Sequence, residues 1–315
     1  MFYLRREAKV PSYLVICNYH SEKVGSNLMI SIITAVYNAE NTIQKTLDSV
    51  RKIKNQDIEY IVVDGKSTDA TCKIIEKNRD IIDVYISERD CGIYDAINKG
   101  IKAASGDYTL FLAADDLLIP GSIDKFKNSV KNDTDVWSGS VIFHNEYGYF
   151  FLESDKNLDK LKRECSLRHP ATFFKRGIFE KYGYYDTTLK CSGDREIFLR
   201  LYLHGAKFQI ENIPVEIFNI GGISTANPLD LPIKEGKIIE KKYGFYTPVS
   251  NDKLRRIFKR RLKNSLLGYW LLNIYYSDIC YYFISNLLHI PIKKISQDKV
   301  SEIMGKHGLQ ELQEK

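Results

Sequence analysis

Hydrophobic residues in the first third of the chain form short β-branched runs that alternate with segments of helical periodicity. Short apolar runs bounded by turn signals are typical of buried strands, and apolar positions three or four apart are typical of amphipathic helices. This alternation predicts an α/β fold with a parallel sheet and right-handed crossovers. The predicted strands are residues 30–36, 58–63, 84–86 and 108–112; the predicted helices end at Val50, carry Ile74 and Ile75, and span 93–104.

The middle of the chain has a mixed pattern that predicts strands and helices in irregular order. Two strand-like runs flank a turn at residues 145–148, which predicts a β-hairpin. An extended segment, two helices, two short strands and a glycine turn follow. In order, these are residues 136–142 and 147–152 for the hairpin, 168–174, 176–182, 195–204, 208–210, 215–219 and 221–224.

The C-terminal region changes character at residue 254, where a basic cluster at 255–263 precedes a tract rich in Leu, Tyr and Ile that runs to 292. Asn273, Asp278 and Asn286 interrupt that tract, which argues against a helix that spans a membrane. Two interpretations stay open. Basic residues followed by aromatic ones suit an amphipathic helix on an anionic membrane surface, and they also suit a helical hairpin that packs on the core or on another subunit.

Composition narrows the class of protein. The chain has 315 residues, a formal charge of +6 and ordinary apolar and charged fractions, which fit a globular domain with an appendage. The basic excess is local, so a nucleic-acid-binding protein is not expected. The six cysteines form no CxxC pair, which predicts reduced thiols without a zinc site or disulfide framework. No signal peptide is evident, and residues 1–28 read as an extension upstream of a natural start at Met29.

The strand at 108–112 runs directly into two adjacent carboxylates, Asp115 and Asp116. Like charges this close disfavour joint ionisation, and a divalent cation with oxygen ligands, Mg²⁺ or Mn²⁺, relieves that cost. Ligands of open α/β sheets collect at the carboxyl ends of the strands, where this pair is expected. The alternative is that either residue caps a helix that begins near Pro120. The turn at 37–40 has no glycine, and neither common glycine-rich phosphate loop is present.

Four segments together resemble a family 2 glycosyltransferase: SIITAVYNA at 31–39, YIVVDGKSTDAT at 60–71, SERDCGIYDAINKG at 87–100 and GDYTLFLAADD at 106–116. The resemblance covers residues 30–225. It implies a GT-A fold, Rossmann-like and mostly parallel, with helices flanking the sheet and a C-terminal helical appendage. It divides the chain into an extension (1–28), a GT-A domain (29–225, with a nucleotide-sugar half to about 120 and an acceptor half after it) and a basic, aromatic segment (226–315).

The resemblance also implies roles in donor binding. The end of the first strand would line the nucleoside pocket, Asp64 would accept a hydrogen bond from the base, and Asp115 and Asp116 would contact the ribose and the metal. Asp64 also suits a turn-forming role. The remaining implied donor residues are Thr34, Ala35, Tyr37, Asn98, Lys99 and His169, of which the last three also suit structural roles.

For catalysis, the resemblance places Asp194 at the position of the family's base. The family often carries an acidic pair or Ser-Asp at this point, whereas this chain has Gly193 before Asp194 and Glu196 two residues later. Asp194 and Glu196 therefore both remain candidates. An inverting transfer needs one carboxylate to take the proton of the acceptor hydroxyl. The glycine turn at 221–224 matches a family segment and suits either a plain turn or a loop that closes over the diphosphate.

The resulting functional hypothesis is an inverting, metal-dependent glycosyltransferase with Mn²⁺ or Mg²⁺. It would move a sugar from a nucleoside-diphosphate donor, usually UDP-linked, to a glycan or polyprenyl-linked acceptor in bacterial envelope polysaccharide synthesis. We expect a cytoplasmic protein that works at the inner face of the membrane through residues 254–292; a homo-oligomer is left open. The alternatives are a nucleotidyltransferase on a related fold and a non-catalytic partner subunit that binds nucleotide sugars.

Overall fold

The computed structural model describes residues 28–145, 148–219, 230–245, 293–295 and 298. The predicted extension before residue 28, the glycine turn at 221–224 and the segment at 254–292 lie outside these ranges. Within the part of the chain that the structure describes, none of the helices is long and apolar enough to cross a bilayer.

The first half of the described chain is the alternating strand–helix unit that the hydrophobic pattern predicts. Strands β1, β2, β3 and β4 pair in the parallel order β3-β2-β1-β4. The elements are β1 (Ile30–Val36), α1 (Ile43–Arg51), β2 (Ile58–Asp64), α2 (Thr71–Lys77), β3 (Val84–Ser87), α3 (Ile93–Ala103) and β4 (Tyr108–Phe111).

The second half extends the same sheet with antiparallel strands, beginning where β8 pairs with β4. The complete order is β10-β7-β6-β8-β4-β1-β2-β3, with β9 parallel to β6 and also paired to β5. The predicted α/β class is therefore confirmed. The elements are β5 (Leu117–Leu118), α4 (Ser122–Ser129), β6 (Val136–Asn145), β7 (Gly148–Glu153), β8 (Thr172–Lys175), α5 (Gly177–Tyr182), α6 (Gly193–Leu203), β9 (Phe208–Asn219), α7 (Asp230–Lys242) and β10 (Lys293–Ile295).

Two sequence predictions in this half are wrong in detail. The two short strands at 208–210 and 215–219 are one strand, β9, which continues through Pro214. Pro214 pairs with Ser140 where the register between β6 and β9 shifts, so its missing N–H falls at an irregularity of the ladder. The segment at 168–174 is extended only from Thr172 onward, because His169–Ala171 forms a 3₁₀ turn.

The sheet has a hydrophobic core on each face. Successive residues of β1 point to opposite faces, so Ile32 packs into one core and Ile33 into the other. The first core also contains side chains of α1, α2 and α4, and the second contains those of α3, α5 and α6. Helices thus cover both faces, and the carboxyl ends of β1, β2 and β4 remain together at one edge.

Gly100 sets how closely α3 approaches the sheet. A Cβ atom built at this position would lie 2.4 Å from Cγ2 of Ile33 and 3.4 Å from Cγ2 of Val63. Both neighbours are buried, β-branched strand residues with little freedom to move. The glycine is therefore required for packing between α3 and the β1–β2 pair.

We expect Gly100→Ala to lower the free energy of unfolding by about 1–3 kcal/mol, because it overpacks the core beneath α3. The matched control is Gly177→Ala at the start of α5, where an added Cβ meets nothing within 4 Å. That change is expected to be neutral or to stabilise by up to about 1 kcal/mol through helix propensity. Urea unfolding followed by circular dichroism measures both, and equal midpoints for the two variants would contradict this account.

Candidate functional site

The end of β1 and the turn after β2 lie side by side at the carboxyl edge of the sheet, where the Gly65 N–H donates to the Val36 carbonyl, and the surface along this edge is the candidate cleft. Tyr37 is 53% exposed there. A Cβ atom on Gly65 would lie 2.4 Å from Oδ2 of Asp90, so a larger residue there would displace that carboxylate, and 3.5 Å from Cδ2 of Tyr37, an ordinary contact. Thr34 instead points into the protein, where it accepts a hydrogen bond of 3.1 Å from the hydroxyl of Tyr60. Of the predicted pocket-lining residues on this strand, Ala35 is half-buried and Tyr37 is the accessible one.

Asp64 forms the turn after β2 with its own carboxylate. Oδ1 accepts the backbone N–H of Ser67 at 3.0 Å, and Oδ2 accepts the hydroxyl of Ser87 at 2.7 Å and the thiol of Cys72 at 3.3 Å. Burial works to raise the pKa of Asp64, but these hydrogen bonds outweigh it and hold the pKa below its usual value. The turn-forming role left open by the sequence is therefore the one that the structure displays.

Lys99 and Asn98, adjacent on α3, both have protein partners. The ammonium of Lys99 donates to the carbonyl of Arg89 at 2.8 Å and pairs with Glu88 at 2.9 Å, which ties down the loop before α3. The amide of Asn98 donates to the carbonyl of Tyr185 and accepts its N–H, each at 2.9 Å. Both residues predicted to touch the donor are thus engaged in supporting loops.

His169 belongs to an aromatic cluster beneath the cleft. Its Nε2 lies 2.7 Å from the hydroxyl of Tyr185, and its ring stacks on Phe111 with centroids 5.2 Å apart. Burial lowers the pKa of His169 to about 4, so the ring is neutral at pH 7. Tyr185 also stacks on Tyr94, with centroids 5.6 Å apart. His169 and Asn98, both predicted donor contacts, thus meet at Tyr185, which the sequence did not single out.

The adjacent carboxylates after β4 have different surroundings. Asp116 is completely buried, and Oδ1 accepts the backbone N–H of Asn219 at 2.8 Å. Its Oδ2 has no hydrogen-bond partner. Asp115 is half-buried, and its backbone carbonyl accepts the side-chain amide of Asn219 at 2.5 Å. Asn219 in turn lies 2.9 Å, through Oδ1, from Nδ1 of His144, so β6 and the end of β9 hold the pair in place.

Glu216 on β9 adds a third carboxyl group that sequence reasoning missed. It is completely buried next to Asp116, with which it can share a proton, and its oxygens have no other hydrogen-bond partner. Burial, then the charges of Asp116 and Asp115, raises the pKa of Glu216 well above its usual value. Burial and the neighbouring Asp115 do the same for Asp116. No lysine, arginine or histidine in the described ranges forms an ion pair with any of the three.

This arrangement fits a divalent cation. Carboxyl groups with raised pKa values and no basic partner among the described residues concentrate at the edge where ligands of α/β sheets bind, and oxygen is the donor that Mg²⁺ and Mn²⁺ prefer. Among the residues described, no three acidic, histidine or cysteine side chains converge closely enough to hold an ion alone. Such ions usually take one or two carboxylates and complete their shell with water and phosphate oxygens. Asp116 is completely buried and Asp115 is half-buried, so Asp115 is the more accessible of the two predicted ligands.

Asp194 lies in the first turn of α6. Its Oδ1 accepts the backbone N–H of Arg195 at 2.7 Å, and its Oδ2 lies 3.5 Å from the thiol of Cys165. Burial raises the pKa of Asp194 above its usual value. The glycine before it is explained by Tyr94, because a Cβ at Gly193 would lie 2.6 Å from Cζ of that ring.

Glu196, the other candidate base, is completely buried and occupied. Its carboxylate accepts hydrogen bonds from Arg200 at 2.9 Å, Lys242 at 2.8 Å and the hydroxyl of Tyr243 at 2.6 Å. Burial works to raise the pKa of Glu196, but these donors hold it below its usual value. A carboxylate so stabilised in its charged form is a poor proton acceptor, so Asp194 is the better candidate.

The sequence missed Asn219, Glu216 and Tyr185 for different reasons. Asn219 and Glu216 lie on β9, about a hundred residues from Asp116, and nothing local marks a strand residue that contacts a distant carboxylate. Tyr185 lies in an irregular loop. A charged residue within an apolar strand was the available signal for Glu216, because such residues are rarely buried without a reason.

Comparison with known proteins identifies the family that the sequence resembles. The profile described as "Glycosyl transferase family 2" matches residues 31–198, more than half of the chain. A "PGL/p-HBAD biosynthesis glycosyltransferase" of Mycobacterium bovis (strain BCG / Pasteur 1173P2) is 29% identical over 208 residues, which cover 62% of this chain and 79% of that protein. An uncharacterised glycosyltransferase of Rickettsia typhi is 31% identical over 185 residues, 55% of this chain and 58% of its own.

Solved structures share the fold. S. aureus TarS 1-349 in complex with UDP superposes with a TM-score of 0.53 at 18% identity, over 84% of this chain and 73% of that one. A mannosyltransferase from Pyrobaculum calidifontis, in complex with GDP-Man and Mn²⁺, gives a TM-score of 0.53 at 15% identity, over 82% of this chain and 84% of its own. These likenesses confirm the predicted GT-A fold. With the family match, they establish that this chain belongs to glycosyl transferase family 2 and is a glycosyltransferase.

Proposed function

We propose that this chain is an inverting glycosyltransferase that uses a nucleoside-diphosphate sugar with a divalent cation. The observation that carries the proposal is the group of carboxyls formed by Asp115, Asp116 and Glu216, which lacks basic partners and lies where β4 ends. Such a group is stable when a cation and its phosphate ligands neutralise it. The related folds crystallised with UDP, UDP-GlcNAc, or GDP-Man and Mn²⁺ support this class of donor.

Few accessible side chains are available to bind the nucleotide-sugar donor. We place the nucleoside against the exposed ring of Tyr37, near Gly65 and Asp90, where an aromatic face suits a base. Asp64 holds the turn beneath it, and Lys99 and Asn98 hold the flanking loops. The sequence hypothesis of a UDP-linked donor is kept as part of the proposal.

In this proposal Asp115 holds the cation, and Asp116 supports it from behind through its contact with Asn219. When bound, a divalent cation stabilises the negative charge that develops on the leaving diphosphate. The protein contributes the position of Asp115, which is fixed from two sides. Its backbone carbonyl is held by the Asn219 side chain, and the adjacent Asp116 carbonyl accepts the hydroxyl of Thr46 at 2.9 Å.

Asp194 is the proposed base. In an inverting transfer the acceptor oxygen attacks the anomeric carbon as its proton passes to a carboxylate, and the bond to the diphosphate oxygen breaks. Burial raises the pKa of Asp194, which makes its carboxylate a stronger proton acceptor than an exposed one. Glu196 anchors the same helix and leaves Asp194 free for this role.

The acceptor is proposed to be a glycan or polyprenyl-linked sugar at the cytosolic face of the membrane. The support is the sequence of residues 254–292, in which a basic cluster precedes an aromatic and aliphatic tract. The pneumococcal relative "Glycosyltransferase GlyA" is 31% identical over 144 residues, 44% of this chain and 21% of that protein, which fits a role in bacterial glycan synthesis.

Replacing the basic cluster tests the membrane proposal. We expect substitution of all its cations by Gln to release the protein from vesicles that contain phosphatidylserine, because each cation near an anionic surface contributes about 1 kcal/mol. The substituted positions are Arg255, Arg256, Lys259, Arg260, Arg261 and Lys263. Sedimentation with phosphatidylserine vesicles measures binding, and phosphatidylcholine vesicles are the control. Equal sedimentation of wild type and variant with the anionic vesicles would contradict the proposal.

Asp115→Asn tests the cation site. We expect the change to weaken Mn²⁺ binding at least tenfold in the presence of UDP, because it removes the accessible carboxylate ligand. Titration of free Mn²⁺ by electron paramagnetic resonance measures the affinity. Asp124→Asn, an exposed carboxylate in the first turn of α4, is the matched control and should bind as wild type does. Wild-type Mn²⁺ affinity in Asp115→Asn would remove this residue from the site.

Asp194→Asn tests the base. We expect kcat for metal-dependent sugar transfer or donor hydrolysis to fall by about 10²–10⁴-fold, because the proton acceptor is lost. Binding of UDP with Mn²⁺, measured by calorimetry, should stay within twofold of wild type. The same Asp124→Asn variant serves as the control, and wild-type turnover in Asp194→Asn would assign the base elsewhere.

The pH dependence of the wild-type enzyme follows from the same residue. Burial raises the pKa of Asp194, so its reactive carboxylate form is lost as the pH falls through that raised value. The acid limb of the kcat profile should therefore lie above about pH 4, the ordinary value for aspartate. A profile recorded from pH 4 to pH 9 on the best donor measures it, and a rate that stays constant down to pH 4 would contradict the assignment.

A further inference from the structure

Helix α7 holds the segment that leads into the helix of the candidate base. Helix α7 begins at Asp230, which lies beyond the residues 31–198 that match the family. Glu235 on this helix is only 3% exposed. Its carboxylate accepts the backbone N–H groups of Lys190 at 2.6 Å, Cys191 at 3.1 Å and Ser192 at 2.8 Å.

Three successive N–H groups that converge on one carboxylate form an anion-binding concavity, here filled from within the chain. Burial works to raise the pKa of Glu235, but these donors hold it below its usual value, so the carboxylate is charged at neutral pH. Hydrogen bonds to a charged acceptor are about twice as strong as neutral ones. The segment 190–192 is therefore fixed directly before α6. Its last residue, Ser192, is the N-cap of that helix and makes no side-chain capping hydrogen bond.

The C-terminal end of α7 contacts α6 on the other side of Asp194. Lys242, the last residue of α7, and Tyr243 after it both donate to Glu196, two residues after Asp194 on α6. Asp194 thus lies between two anchors, the 190–192 segment on one side and Glu196 on the other. Its own carboxylate contacts the Arg195 N–H and Cys165, and nothing from α7.

The fixed segment also reaches the donor side of the cleft. The ammonium of Lys190 donates to the carbonyl of Cys91 at 2.6 Å, in the loop that precedes α3. On α3 itself, the Tyr94 ring packs against Gly193, where a Cβ would lie 2.6 Å from Cζ. Movement of residues 190–192 would therefore shift Asp194 relative to the wall that holds the donor.

We propose that Glu235 is a positioning residue for the transfer reaction: by holding residues 190–192 it sets the direction in which Asp194 enters the cleft. This inference rests on the proposed role of Asp194 as the base. Because Glu235 touches neither the predicted donor residues nor Asp194, its loss should lower turnover and leave donor binding intact.

The test compares Glu235→Gln with Glu59→Gln, the same change at another buried glutamate, which accepts the backbone N–H of Ser105 at 2.9 Å near the start of β2. Gln keeps the size of the side chain but presents one amide oxygen and an N–H₂ group to three N–H donors. Hydrolysis is followed with whichever donor reacts fastest among UDP-glucose, UDP-galactose, UDP-GlcNAc and GDP-mannose. A second readout needs no turnover: the rate of iodoacetamide alkylation of Cys165, mapped by mass spectrometry, reports its contact with Asp194.

We expect Glu235→Gln to lower kcat by about 10- to 100-fold with the donor KM within twofold, as a small misplacement of a catalytic group does. Its acid limb should move to lower pH, because a displaced Asp194 loses burial, the largest cause of its raised pKa. Cys165 should be alkylated faster, because its thiol loses the carboxylate neighbour. Glu59→Gln should change the melting temperature while kcat, the acid limb and the alkylation rate stay at wild-type values.

Two results overturn the inference, and they differ. If Glu235→Gln keeps wild-type kcat, acid limb and Cys165 alkylation, Glu235 contributes to stability alone, whatever the role of Asp194. If Asp194→Asn, assayed beside it, keeps wild-type turnover, the base assignment itself fails and Glu235 positions no base. Should none of the four donors react, the alkylation rate decides whether Glu235 fixes the surroundings of Asp194.

Discussion

The constraint on which this site depends is the burial of carboxyl groups without basic partners. Asp116 and Glu216 are completely enclosed, with three oxygens between them that lack a hydrogen bond. Buried groups of this kind usually cost stability unless they are protonated or meet a cation. The surrounding strands maintain the arrangement: β4 delivers Asp115 and Asp116, β9 delivers Glu216 and Asn219, and pairing of β9 with β5 and β6 fixes their positions. The raised pKa values of Asp116 and Glu216 favour their protonated forms, and in the proposed function a cation held by Asp115 would neutralise the remaining charge.

The two halves of the sheet position different residues of the candidate site. The parallel half places the ends of β1, β2 and β4 at one edge, where Tyr37 and Asp115 offer accessible surface. The antiparallel half supplies α6 with Asp194. The halves join where β8 pairs with β4, and the aromatic cluster around Tyr185 fills the space beneath. In the proposed function, Asp115 from the parallel half would hold the cation and Asp194 from the antiparallel half would take the acceptor proton, so each half of the fold would serve one of the two substrates.

Most of the fold was predictable because it follows from local patterns. The β-branched runs and helical periodicity of residues 30–116 gave each element to within a few residues, and the parallel order follows from the strand–helix alternation. Prediction failed where distant residues decide. The two strands predicted at 208–210 and 215–219 are one strand, because pairing with β6 accommodates Pro214 at a register shift. The side chains of His169 and Asn98 are of types that bind ligands, but both form hydrogen bonds with Tyr185. The sequence does not reveal these contacts, because Tyr185 is distant from Asn98 along the chain. The relative accessibility of two adjacent aspartates cannot be read from their order in the chain.

The central claim is that the carboxyl group after β4 is completed by a divalent cation and a donor diphosphate. A crystal grown with UDP and Mn²⁺ tests it most directly, through anomalous scattering recorded at the manganese edge. The account predicts one strong peak between a carboxylate oxygen of Asp115 and the UDP diphosphate, at about 2.0–2.3 Å from that oxygen. UDP bound in the cleft with no anomalous peak beside Asp115, or with manganese held by other residues, would contradict it.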